Sequence, residues 1–127
     1  MKAWSCSKYG NIDSNNILIQ MVDDHDLAGI DKEVEHIKSL TGSENFCLVA
    51  FKVDEWNDAL SPWKAPAVFG NDDFGGKASE TLEELLDYIG NHLLKDKESS
   101  NIHLYIGGYS LAGLFALWSA YQTDSFS

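Results

Sequence analysis

The sequence has no arginine, only two prolines and only two cysteines. Its nine basic residues are all lysines and face twenty acidic residues, which gives a formal net charge of −11. Arginine is the preferred side chain for holding phosphate and guanine, and an acidic surface repels polyanions. We therefore expect no nucleic-acid partner and no binding to membranes. Cys6 and Cys47 lack the number and spacing of a disulfide framework or a metal site, so we predict no metal and no cofactor.

Long apolar runs are also absent. None approaches the ~20 residues that a membrane-spanning helix requires. Residues 1–6 lead into polar sequence without the apolar stretch of a secretory signal. With 127 residues, 44% of them hydrophobic, the chain has the size and composition of a single domain, 1–127. We expect a soluble, cytoplasmic protein.

The apolar periodicity predicts strands that alternate with helices. Short runs rich in β-branched residues are typical of buried strands, at 17–22, 46–53 and 102–106. Helical spacing of apolar residues marks 30–40, 82–93 and 114–121. This order favours right-handed crossovers and a mostly parallel sheet, in a three-layer α/β/α fold. The residues before Ile17 carry only a weak signal for an additional edge strand.

Helix ends can also be assigned. Asp26 suits the start of the first helix and Gly42 its end, and Ser79 or Thr81 suits the start of the second. Residues 54–78 lack this apolar periodicity and predict a long loop, which in a compact domain is usually functional. Its two tryptophans, Trp56 and Trp63, suit either the wall of a substrate pocket or an anchor that pins the loop to the core.

The third predicted strand runs directly into Gly108-Tyr109-Ser110-Leu111-Ala112-Gly113. This matches G-x-S-x-G with alanine in the last place, between an apolar strand and an apolar helix. A serine on such a sharp turn takes a strained backbone conformation, and the residues two before and two after it must be small because they meet. The turn also places Ser110 at a helix N-terminus, where negative charge is stabilised. We predict Ser110 as a nucleophile and the Leu111 N–H as an oxyanion donor.

Residues 108–117 (GYSLAGLFAL) and 56–66 (WNDALSPWKAP) resemble the esterase group of the α/β-hydrolase superfamily. The resemblance extends from about Ile17 to the end of the chain. It implies hydrolysis of small carboxylic esters through an acyl-enzyme at Ser110. It also implies a second oxyanion donor in the loop after the strand at 17–22, which by position is Val22 or Asp23. The family continues with further strands, so we expect a partial α/β-hydrolase fold without the C-terminal ones.

The sequence departs from the family pattern after the nucleophile. The superfamily order is nucleophile, acid, histidine, yet none of the seventeen residues after Ser110 is a histidine. Asp124 is the only acid there and comes too early to be the triad acid. A serine without its base is a poor nucleophile, so we expect impaired activity. His25 is a candidate substitute, because its loop should approach the turn from the neighbouring strand.

Two other classes of function remain open. One is a non-catalytic module of hydrolase fold that self-associates, and the other is a small phosphate or nucleotide binder that uses the glycine-rich turn. The run from Asp23 to Asp26 could bind a divalent cation, although helix capping explains these acids more simply. Because the sheet would end beside the third strand, we expect a homo-oligomer that covers the exposed sheet edge and the last helix.

Overall fold

The computed structural model describes residues 4–42, 45–67, 73–94 and 102–126. Within them the chain forms a mixed sheet of four strands, a two-stranded ribbon and five helices. The strands are β1 (Trp4–Gly10), β2 (Asn16–Val22), β3 (Cys47–Val53), β4 (Lys64–Ala65), β5 (Phe74–Gly75) and β6 (His103–Gly107). The helices are α1 (Asp24–Ala28), α2 (Ile30–Thr41), α3 (Trp56–Leu60), α4 (Ala78–Tyr88) and α5 (Leu111–Gln122). No helix in these ranges has the length and hydropathy to cross a bilayer.

The main sheet has the strand order β1-β3-β2-β6. The three predicted strands are β2, β3 and β6, and β2 pairs in parallel with both others. The weakly signalled edge strand is also present, since β1 pairs antiparallel with β3. Its signal was weak because none of its residues is fully buried, whereas six of the seven residues of β3 are. The apolar pattern that predicts a strand depends on buried side chains, and these are concentrated in the centre of the sheet.

Alternation along β2 divides the core into two clusters. Ile17, Ile19 and Met21 join the larger cluster, which includes residues of α3, α4 and α5. Val22 belongs instead to a smaller cluster with Ile30 of α2. Because successive side chains of a strand point to opposite faces, the two clusters cover the two faces of the sheet.

The first predicted helix is split in two at Gly29. Asp26 does not cap its start as expected: Asp23 is the N-cap, and Asp26 stands three residues into α1. The capping residue lies earlier because the chain turns into a helix immediately after β2. The other end is as predicted, with Gly42 closing α2 in the left-handed conformation at φ 65°.

The start of α4 also differs from the prediction. Its N-cap is Lys77, without a side-chain cap, so neither Ser79 nor Thr81 has that role. The helix can begin earlier because other elements accept its first N–H groups. Lys77 N–H donates to the Asp58 carbonyl at 2.8 Å, and Ala78 N–H donates to the Ser61 carbonyl at 3.0 Å. The helix then continues through a π-helical turn, Ile89–Leu93.

The segment predicted as a loop contains regular structure. It forms α3 and the β4–β5 ribbon, with 68–72 outside the described residues. Ser61 connects these parts, since its hydroxyl donates to the Asn57 carbonyl at 2.6 Å and accepts from Gly76 N–H at 2.8 Å. The sequence shows no helical or strand periodicity here because α3 is only five residues long and each ribbon strand only two.

An aromatic cluster fixes the edge strand to the helices. Trp4 of β1 stacks on Phe51 of β3 with ring centroids 4.7 Å apart, and Tyr88 of α4 packs edge-on against both rings. Burial raises the pKa of the Tyr88 phenol to about 12, and Cys6 contributes further to this increase. The folded state therefore favours the neutral phenol.

Tyr88→Phe is expected to reduce the loss of stability in alkali. A phenol whose pKa is about 12 in the folded protein and 10.0 as a free group stabilises the fold fully below pH 10.0, and this contribution is lost as the pH rises towards 12. Phenylalanine does not ionise, so the variant should lack this loss. Urea unfolding at about pH 8 and about pH 11 measures it. An equally steep loss in the variant would contradict the assignment.

Candidate functional site

The carboxyl ends of β2, β3 and β6 meet at one edge of the sheet. In the register of the parallel pairs, Gln20 of β2 lies opposite Gly107 of β6. Asp23 and Ser110 each follow three residues after this pair, just beyond the ends of β2 and β6. The two strands run side by side about 4.8 Å apart. The topology therefore brings the region after β2 and the region after β6 to the same edge.

Ser110 has the strained backbone that the motif predicts. Its φ is 58° and its ψ −121°, and it is the one non-glycine residue with positive φ in the described chain. Holding a side chain in this region costs about 1–3 kcal/mol, and such strain clusters at functional sites. Ser110 is solvent-exposed, so its hydroxyl is accessible to a ligand.

The turn is closed by contact between Gly108 and the first turn of α5. A Cβ at position 108 would lie 2.4 Å from the Ala112 Cβ and 2.9 Å from its carbonyl carbon. A Cβ at Gly113 would lie 3.1 Å from the Gly108 carbonyl oxygen. Gly107 differs, since the nearest atom to a Cβ there is a Leu18 methyl at 3.9 Å. The steric demand thus concerns Gly108, Ala112 and Gly113, and not Gly107.

The start of α5 offers one unused backbone donor. The Ser110 carbonyl accepts from Gly113 N–H at 3.0 Å and Leu114 N–H at 3.2 Å, and the Tyr109 carbonyl accepts from Ala112 N–H at 3.1 Å. In the described part of the chain, Leu111 N–H has no acceptor. A free N–H at the positive end of a twelve-residue helix favours a negatively charged oxygen beside Ser110.

The N–H groups of Val22 and Asp23 are the predicted candidates for a second oxyanion donor. Asp23 N–H donates to Asp26 Oδ2 at 3.2 Å, and Asp23 Oδ1 accepts from Asp26 N–H at 2.8 Å, which forms a capping box at the start of α1. Burial is the main cause that raises the pKa of Asp26. Asp23 N–H would have to exchange its present bond to hold an oxyanion, and Val22 is fully buried in β2. Val22 and Asp23 both remain candidates.

A cleft of about 550 Å³ opens at the same edge of the sheet. It is strongly acidic, with Trp56 and Asn57 as its uncharged members, and its lining consists of Asp23, Asp54, Glu55, Trp56, Asn57, Asp58 and Asp73. The sequence reasoning missed most of these carboxylates, although Asp54 and Glu55 directly follow β3. Ser110 is not among the described residues that line this cleft.

Of the other residues predicted at the site, Trp56 lies in the cleft, whereas Trp63 and His25 do not. Trp56 lines the cleft and also packs on the larger core cluster. Trp63 is 62% exposed and lies outside the lining, so it neither forms this wall nor anchors the loop in the core. His25 is exposed on α1 and is likewise outside it. Capping accounts for Asp23 and Asp26, and the described residues hold no group of three or more side chains placed to bind a metal.

No family model matches this sequence, and no curated protein matches it. Among solved structures, the fold is similar to that of the siderophore hydrolase EstA from Aspergillus nidulans, with a TM-score of 0.62 and 14% sequence identity. The match covers 98% of this chain and 55% of that chain, so the present chain spans about half the length of the structure it matches. At this identity the likeness is one of fold, and the neighbour with that fold is a hydrolase.

Gly108→Ala and Gly107→Ala are expected to differ sharply in stability. The first places a Cβ against Ala112 and should lower the free energy of unfolding by about 1–3 kcal/mol, as overpacking does. The second meets an ordinary contact with Leu18 and should stay within about 0.5 kcal/mol of the unsubstituted chain. Urea unfolding of the two variants measures the difference, and equal stabilities would show that the turn is not closed as described.

Ser110→Gly is expected to be more stable than Ser110→Ala by about 1 kcal/mol. Both remove the hydroxyl, but glycine takes positive φ without the Cβ strain that alanine keeps. Thermal or urea unfolding of the pair measures the difference. If alanine were as stable as glycine here, Ser110 would carry no backbone strain in solution.

Proposed function

We propose that this chain carries the nucleophile and an oxyanion donor of a serine hydrolase that acts on carboxylic esters, in a three-layer α/β-hydrolase fold. The observation that carries the proposal is the conformation of Ser110, at φ 58° and ψ −121° between β6 and α5. The similarity in fold to a hydrolase supports the same class of reaction. The strained backbone of Ser110 and the Leu111 N–H without an acceptor support the roles proposed for these two residues.

The proposed reaction has two steps. The Ser110 hydroxyl oxygen attacks the ester carbonyl carbon, and Leu111 N–H stabilises the negative charge on the carbonyl oxygen. The C–O bond to the alcohol then breaks, and the serine proton passes through a base to the leaving alcohol. Water cleaves the acyl-enzyme in the second step, releasing the acid and restoring the hydroxyl.

The base is the group that this site still needs. No histidine follows Ser110 in this sequence. His25 follows β2 at the same edge of the sheet and is the proposed internal candidate, with another polypeptide as the alternative source. Without a base in contact, the serine keeps its proton and reacts slowly, so we propose low intrinsic esterase activity.

The charge of this edge favours neutral or cationic esters. Five carboxylates line the cleft at this edge of the sheet, and the whole chain carries −11. An anionic substrate would be repelled on approach, whereas a cationic one would be concentrated near the edge.

A non-catalytic, self-associating module is the second candidate. It is favoured by the absence of Ser110 from the described lining of the cleft and by the exposed apolar residues around the turn, such as Tyr109 at 78% exposure. A nucleophile that stands on an open surface lacks the enclosing walls that most substrate sites have. Serine reactivity distinguishes this candidate from the hydrolase.

A fluorophosphonate probe is expected to label the chain once, at Ser110. Intact mass and peptide mapping measure the adduct. Ser110→Ala should remove it, while Ser125→Ala, an exposed serine away from the turn, should keep it. If His25 is the base, His25→Ala should slow labelling by about 10²–10⁴-fold, the usual contribution of general acid–base catalysis.

The outcomes separate the two candidates. An adduct that persists in Ser110→Ala, or no adduct on a folded chain, would refute the activated nucleophile and favour the module. Labelling that is unaffected by His25→Ala would retain the hydrolase and exclude His25 as its base.

A further inference from the structure

A second cavity, of about 420 Å³, lies at the edge of the main sheet opposite Ser110. It opens near the amino ends of the parallel strands, where Ile17 of β2 pairs with Cys47 of β3. Ser110 follows the carboxyl end of β6, and the seven residues of β2 that separate the two edges span about 20 Å. The cavity is therefore distinct from the candidate site described above.

Apolar side chains form the floor of this cavity. Ile17, Cys47 and Leu93 line it and are all buried. Leu93 belongs to the π-helical turn, a rare backbone conformation that is frequent at functional sites. Ile12 also lines the cavity and is 60% exposed. The cavity thus offers an apolar surface that a bound aliphatic group would remove from water.

Polar groups of both charges surround the apolar floor. Lys8 of β1 supplies an ammonium group, and His92 of the π-helical turn supplies an imidazole. Asp13, in the turn between β1 and β2, supplies a carboxylate, and Asn15 beside it supplies an amide. Within the described residues, neither Lys8 nor Asp13 has an ion-pair partner. Both charges are therefore available to a ligand.

The turn that carries Asp13 is fixed by a buried hydrogen-bond network. The Ser14 hydroxyl donates to Asn45 Oδ1 at 2.9 Å and accepts from Asn16 N–H at 3.0 Å. The Asn16 amide donates in turn to the Asn45 carbonyl at 3.1 Å. A ligand that binds beside Asp13 therefore meets a turn that is already ordered, which lowers the entropic cost of binding.

The opposite wall of the cavity is also held in place. The His92 ring packs on Tyr88 with ring centroids 5.1 Å apart. Tyr88 in turn packs edge-on against Trp4 and Phe51. The imidazole is thus connected to the aromatic cluster of the core, and both walls are ordered before a ligand binds.

We propose that this cavity binds a free α-amino acid with an apolar side chain, such as leucine. Asp13 pairs with the ammonium group, Lys8 and His92 donate to the carboxylate, and the apolar floor holds the side chain. A zwitterion has no net charge, so the −11 of the chain does not repel it. A residue within a polypeptide lacks both charged groups, which favours the free amino acid.

This proposal does not rest on the hydrolase. The cavity and Ser110 lie at opposite edges of the sheet, and the residues that line the cavity take no part in the proposed reaction. Ser110→Ala should therefore bind leucine as the unsubstituted chain does.

Titration of the full chain with three related compounds, followed by amide NMR, tests the proposal. L-leucine, 4-methylpentanoate and 3-methylbutylamine share one branched side chain, but the second lacks the ammonium group and the third lacks the carboxylate. We expect leucine to bind with a dissociation constant of about 1 mM or lower, and the other two at least about tenfold more weakly. The amides of Ile17 and Leu93 should be among those that shift.

Variants at the two charged residues separate their roles. Asp13→Asn should weaken leucine binding at least about tenfold but leave 4-methylpentanoate binding no weaker, because that compound has no ammonium group. Lys8→Gln should weaken the binding of both compounds. Asp31→Asn and Lys32→Gln are the matched controls, since both residues are exposed on α2, which packs on the other face of the sheet. The controls should bind leucine as the unsubstituted chain does.

Three results would overturn the proposal. No amide shifts at leucine concentrations about tenfold above the expected constant would exclude the site. Equal binding of the three compounds would show that the cavity does not recognise a zwitterion. Equal affinities for leucine in the cavity variants and their controls would place binding elsewhere. Circular dichroism establishes that each variant is folded, and labelling of Ser110 is independent of all three results.

Discussion

Closure of the turn between β6 and α5 is the constraint on which the site depends. Gly108 and Ala112 approach so closely that position 108 has no room for a Cβ without displacement of Ala112. That approach forces Ser110 to positive φ, projects it into solvent and starts α5 immediately behind it. The free Leu111 N–H and the helix dipole are then directed at the same point. A change in one small residue would therefore disturb Ser110, the Leu111 N–H and the start of α5 together.

The sequence revealed the elements whose signal is local. The strands β2, β3 and β6, the C-terminal helix and the left-handed end of α2 at Gly42 follow from apolar runs and a glycine in the expected place. The start of α4 did not follow, because carbonyls of Asp58 and Ser61, remote in the chain, take the place of a side-chain cap. The ribbon within 54–78 was missed because strands of two residues are too short to show alternation.

For the candidate site, the motif indicated the strained serine but not its surroundings. The steric requirement at Gly108 and Ala112 could be read from the residue types, since it concerns positions four apart in the chain. The acidic cleft that follows β2 and β3 could not, because its position depends on how these strands are ordered in the sheet. Trp63 illustrates the same limit: the sequence suggested a pocket wall or an anchor for the loop, and the fold leaves this side chain exposed.

The pairing of β2 with β6 has a consequence for how the protein acquires its shape. Asn16 pairs with His103, so this contact joins segments near opposite ends of the chain. Non-local parallel pairing forms slowly because a long loop must close before any contact rewards it. We expect β6, the strand that leads into Ser110, to pair late, so that α5, which contains no charged residue, is exposed to other chains in the meantime. The rate of folding and the concentration of unfolded chains should then influence the yield of this protein, in addition to its final stability.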